Sequence, residues 1–147
     1  MKKLFLVSCL VLLANVEVSA QQYKVITSVE SIVPSGLGRS RIISATEEKD
    51  YKEFTSEQTE DDNARNKSDR SEIRVKNFEE TKLLNFYNIG GIRFQNIAAN
   101  DAVITSKINA MVADGWELAF VTSGVESDSG KDDGQGIFIT RYIFKKQ

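Results

Sequence analysis

The stretch NDAVITSKINAMVADGWELAFVTS, residues 100–123, decides the fold. Val103, Ile104, Ile108, Met111 and Val112 recur at helical spacing, while Ser106, Lys107 and Asn109 fall between them, so the segment predicts an amphipathic helix. Asn100-Asp101 reads as its cap. Asp114-Gly115 reads as its stop, because glycine takes the left-handed conformation that ends helices without a steric penalty. Directly after Gly115 the period changes from helical to alternating, with Trp116, Leu118 and Phe120 on one side of a predicted strand.

Working outward, Tyr23 to Val33 (YKVITSVESIV) is rich in β-branched residues and alternates, which predicts another strand. Pro34-Ser35-Gly36-Leu37-Gly38 supplies a turn, and Arg39 to Ser44 a returning partner. Ile137 to Phe144 is apolar on both faces, the pattern of a central strand covered on both sides. Thr81 to Tyr87 and Ile92 to Ile97 read as a hairpin around Asn88-Ile89-Gly90-Gly91. Residues 46–80 hold 12 acidic and 7 basic side chains, which predicts a mobile, solvated insertion with room for at most a local helix.

The whole chain, 147 residues with 41% hydrophobic and 27% charged side chains, has the composition of one globular domain. It contains no histidine, and its single cysteine is Cys9. Imidazole acid-base catalysis, thiol nucleophiles, haem ligation through histidine or cysteine, and the usual zinc sites are therefore not expected, and no cofactor is. A formal net charge of −2 lacks the basic footprint of a nucleic-acid binder.

Residues 1–20 read as a signal peptide: Lys2 and Lys3, an apolar run from Leu4 to Ala14, and Val18-Ser19-Ala20 before a cut between Ala20 and Gln21. The apolar run is too short for a membrane span. Leu6-Val7-Ser8-Cys9 has the letters of a lipidation motif but lies inside that run instead of after it. Export to the periplasm or the extracellular space is the expectation. Without Lys2, Lys3 and Glu17 the 19 basic and 21 acidic residues fall to 17 and 20, a formal charge of −3 for residues 21–147. That single domain has no cysteine, so an apolar core must hold it without disulfides.

The segment from Ile104 to Phe144, with Ile108-Asn109-Ala110-Met111 and the corner Asp114-Gly115-Trp116-Glu117-Leu118, resembles the small bacterial family catalogued as domain of unknown function 4177. Tyr23-Lys24-Val25 and Arg141-Tyr142-Ile143-Phe144-Lys145-Lys146 fit its two ends. The resemblance implies an α+β fold with a β-α-β-β core, and residues 34–97 depart from it as a long insertion that includes the hairpin. The expected architecture is an antiparallel sheet of four to six strands with one main helix on a face. It implies no activity. Trp116 is expected to pack back under the helix as a core anchor.

Two constellations have ligand chemistry. Arg39, Ser40 and Arg41 follow a glycine-containing turn, and backbone amides with guanidinium forks suit a phosphate, sulfate or carboxylate. Asp128, Asp132 and Asp133, with Glu126, lie among glycines in a composition that Ca²⁺ accepts, although the spacing is not an EF-hand. No Gly-x-Ser-x-Gly elbow or Ser-x-x-Lys signature follows residue 20, which leaves at most a hydrolase independent of histidine and cysteine. The expected function is thus non-enzymatic recognition of a protein or glycan, with an aromatic patch from Phe86, Tyr87 and Phe94 as a candidate surface. An anion site at Arg39 to Arg41, and a subunit that self-associates through a strand edge, are the alternatives.

Overall fold

The computed structural model describes residues 20–31, 39–88, 90–125 and 136–147. Among the described residues, seven strands, one long helix and one single helical turn make an α+β fold. In chain order they are β1 (Gln22–Ser31), β2 (Arg41–Ala45), the single helical turn α1 (Arg70–Ile73), β3 (Phe78–Lys82), β4 (Tyr87–Asn88), β5 (Gly91–Ile92), α2 (Phe94–Ala113), β6 (Glu117–Val125) and β7 (Ile137–Lys146). Five strands form one sheet in the order β3-β2-β1-β7-β6, with every neighbour antiparallel.

α2 covers one face of that sheet. Ile26 of β1, Ile42 of β2 and Phe144 of β7 point to it and are almost fully buried, together with Met111 of the helix and Leu83. Ile104, Ile108, Trp116, Leu118 and Tyr142 pack around them. Strand alternation then turns Val25, Ile43 and Ile143 to the opposite face.

The helix ends where the sequence predicts. Gly115 has φ +84°. Its N–H bonds the Val112 carbonyl at 2.9 Å and the Trp116 N–H the Met111 carbonyl at 3.0 Å, the paired 5→2 and 6→1 bonds of a Schellman motif. Trp116 is thereby turned back against the core, as expected.

The helix begins at Phe94, well ahead of the cap expected at Asn100-Asp101. Phe94 to Ile97 are helical, not the second arm of a hairpin, and the hairpin shrinks to the two-residue ladders Tyr87↔Ile92 and Asn88↔Gly91. Asn100 is not a cap. It is a buried interior residue whose side-chain Oδ1 accepts from Leu84 N–H at 2.8 Å, while its Nδ2 donates to the Leu84 carbonyl at 2.7 Å and to Glu30 Oε1 at 2.9 Å.

Three further expectations are corrected. The register shift between Leu118 and Phe120 sets Phe120 opposite Ile143, on the face away from Trp116 and Leu118, so the three do not share one side of β6. β7 does have a strand on each side, but among the described residues no element covers its second face, where Ile137, Ile139 and Ile143 are only half-buried. In the charged segment, Phe78-Glu79-Glu80 belongs to the sheet, paired with Ala45, Ser44 and Ile43 of β2. The preceding residues 46–77 carry a 3-10 turn at Tyr51–Phe54 and the α1 turn with a complete capping box from Asp69 and Glu72, and none of them is buried.

Candidate functional site

The face of the sheet opposite α2 carries a continuous apolar row. Phe78 stands opposite Ala45, Val25 opposite Ile143, and Ile143 opposite Phe120. Ala45 lies one step beyond the Ser44↔Ile26 pair, which brings it beside Val25. One residue from each of the five strands thus makes an apolar row, Phe78-Ala45-Val25-Ile143-Phe120, crossing the sheet from edge to edge over about 19 Å at the usual strand spacing. Phe78 is 50% exposed, Val25 46% and Phe120 68%, so the row is solvent-facing.

Polar rows bracket it. On one side Lys145 stands between Tyr23 and Glu117, with its Nζ 3.1 Å from the Glu117 carboxylate. On the other side lie Glu80, Ile43, Thr27, Arg141 and Thr122 in register. The apolar row is thus flanked by charges of both signs.

Where β2 leaves the sheet and β1 continues, the strands part and open a notch of about 550 Å³, within the size range of ligand sites. Tyr23, Lys24, Val25, Glu47, Glu48 and Trp116 line it. Glu47 is held in place by the Lys76 N–H at 3.3 Å and by the Asn77 side-chain amide. The Lys146 ammonium stands 5.8 Å from the Trp116 ring centre and donates to the Asp114 carbonyl at 2.8 Å, tying one lining residue of the notch to the helix end. Because Val25 and Ala45 belong to both features, notch and row are continuous.

The residues singled out from sequence fall elsewhere. Ser40 is buried; its hydroxyl accepts from Ser31 N–H at 3.0 Å and donates to Asn85 Oδ1 at 2.6 Å. Arg41 meets Glu80 at 2.7 Å and donates from Nε to the Arg39 carbonyl at 3.4 Å. Arg39 is exposed, and residues 32–38 lie outside the described residues. Asp128, Asp132 and Asp133, with Glu126, also lie outside them. Among the described residues no three His, Cys, Asp or Glu side chains gather in a way that would hold a metal ion.

The expected aromatic patch is divided. Phe86 is half-buried against Phe138, ring centres 5.7 Å apart, whereas Tyr87 and Phe94 are exposed. Sequence reading missed the row Phe78 to Phe120 because its members come from five separate segments, and only the strand register brings them together. Among the described residues no helix is long and apolar enough to cross a membrane. Comparison of the chain with protein-family models, curated proteins and solved structures finds no match.

Proposed function

We propose that this is an exported, non-enzymatic recognition domain that binds a protein partner across the open face of its sheet. The apolar row Phe78-Ala45-Val25-Ile143-Phe120 carries the reading, because it joins apolar side chains from all five strands, exposed on four of them and half-buried at Ile143, inside a charged rim. Large apolar side chains near the centre of such a surface make the dominant contacts, and the rim orients the partner. The absence of histidine, and of cysteine after residue 20, favours recognition over turnover.

The test places a photo-crosslinking amino acid at Phe120 in the producing cells, with Asn109 on the exposed side of α2 as the control. A discrete adduct at position 120, absent at 109 and lost when Val25→Asp and Phe78→Asp are added, is the expected result. No adduct at 120, or the same adduct at 109, would overturn the reading.

A glycan is the second reading, favoured by the notch alone. Tyr23 and Trp116 offer aromatic surface, and Glu47 and Glu48 offer acceptors for hydroxyl groups. Glycan-array binding lost in Tyr23→Ala and Glu48→Gln, with the row intact, would select it over the protein partner.

A further inference from the structure

The two outer strands of the sheet are protected differently. β3 is five residues long, and three of those are charged: Glu79, Glu80 and Lys82. Glu79 is paired with Lys107 at 2.8 Å and Glu80 with Arg41 at 2.7 Å, so this edge carries fixed charges of both signs, a device that blocks strand addition. β6, on the far side, is nine residues long and has one charge, Glu117, at its first position. From Leu118 to Val125 there is none, and Phe120, Val121 and Val125 are 68%, 52% and 60% exposed. The irregularity between Leu118 and Phe120 lies at the Glu117 end, and Phe120 to Val125 pair with β7 in unbroken register. Among the described residues no strand lies beyond β6.

We infer that β6 pairs antiparallel with β6 of a second copy of this chain, closing a two-fold dimer whose two sheets run on as one. Charge selects both occupant and direction. Parallel pairing would set Glu117 against Glu117. Antiparallel pairing sends the two glutamates to opposite ends and matches the uncharged run with itself, so the partner needs no complementary charge. Full overlap of the strand Glu117–Val125 puts its midpoint, Val121, opposite Val121 of the copy, with Phe120 opposite Thr122 on the open face. With one permissive edge of the five-stranded sheet among the described residues, the chain closes on a dimer instead of adding copies into a filament. This inference concerns the edge, stands apart from the recognition reading, and holds or fails without it.

The test is native mass spectrometry with light scattering, across a wide concentration range, on the protein in the form in which its producing cell leaves it. Twice the chain mass is expected. Val121→Lys and Val121→Glu each place like charges across the dyad and should halve the mass, while an equal mixture of the two variants should restore a dimer containing one of each. Thr81→Lys, on the charged edge, should leave the dimer unchanged. Should Val121→Lys fail to fold by circular dichroism, Thr122→Lys and Thr122→Glu, each a diagonal neighbour of its own copy across the dyad, replace the pair with the same expected outcomes. A monomer at every concentration, an open-ended oligomer, a lysine variant that stays dimeric, or a mixture that stays monomeric would each overturn the inference.

Discussion

Asn100 supplies Leu84 with both hydrogen bonds that a neighbouring strand would otherwise provide, accepting from its N–H at 2.8 Å and donating to its carbonyl at 2.7 Å. The same helix also holds the adjacent loop through Asn96, whose Nδ2 donates to the Asn85 carbonyl at 2.7 Å. Leu84 and Asn85 are therefore stitched to α2 by side-chain amides, with Ser40 gripping Asn85 from the sheet side. This polar seam fixes how the helix sits on the sheet.

Asn100→Ala should lower stability by about 1–3 kcal/mol, since it strips partners from groups in a largely buried setting. Asn100→Asp should cost at least as much at neutral pH, because a carboxylate accepts but cannot donate and would face Glu30. Acidification should recover part of that loss by restoring one donor. Denaturant unfolding of the three proteins at two pH values checks this, and an Asp variant as stable as the parent at neutral pH would refute it.

Gly115→Ala forces a side chain into the left-handed region at φ +84°, with the new Cβ 3.4 Å from Lys146 Cε. A loss of about 1–2 kcal/mol is expected from the backbone alone. Gly124→Ala, where nothing lies within 4 Å and φ is not in that region, should stay within about 0.5 kcal/mol of the parent. Equal thermal midpoints for the two variants would contradict the Schellman assignment.

The end of α2 was legible because its signal is local: a glycine at a fixed offset followed by a change of period. Its start was not. Arg93 makes no side-chain cap, so nothing marks the boundary, and the Gly-Gly pair a few residues before suggests a hairpin instead. Asn100 misled for a physical reason: asparagine competes with the helical backbone unless a tertiary partner engages it, and that partner, Leu84, lies sixteen residues away in sequence. β3 hid behind its charges, which protect an edge strand and dilute its apolar signal at once. The open face was invisible for a third reason. Alternation shows that Val25 and Phe120 each lie on some face, but not that they share a row.

Ser28 and Ser44 sit diagonally across β1 and β2 on the helix-covered face, and both hydroxyls are buried without a hydrogen-bond partner among the described residues. Such groups forfeit their hydration for nothing in return, so Ser28→Ala and Ser44→Ala should be neutral or stabilising by up to about 1 kcal/mol each. Scanning calorimetry decides it. A clear drop in melting temperature for either variant would mean that its hydroxyl has a partner.

Lys107 on α2 and Glu79 on β3 link the helix to the charged edge of the sheet at 2.8 Å. The Lys107 hydrogen bond, followed by its charge, lowers the Glu79 carboxyl below its ordinary value of 4.5, with a smaller contribution from Lys24 and against a slight opposing effect of burial. A carboxylate whose pKa is lower in the folded than in the unfolded chain contributes stability that is complete above the unfolded value. That contribution disappears as pH falls from the ordinary glutamate range through the lowered folded value. Glu79 is 57% exposed, so solvent screening limits the pair to about 0–1 kcal/mol. Lys107→Met should return the Glu79 titration midpoint, followed by NMR of its carboxyl carbon, towards the ordinary value and flatten the acid limb of the stability curve. High salt should shrink the parent's shift in the same direction. An unchanged midpoint in Lys107→Met would show that the ammonium is not what holds Glu79 ionised, and would remove this tie between α2 and the β3 edge.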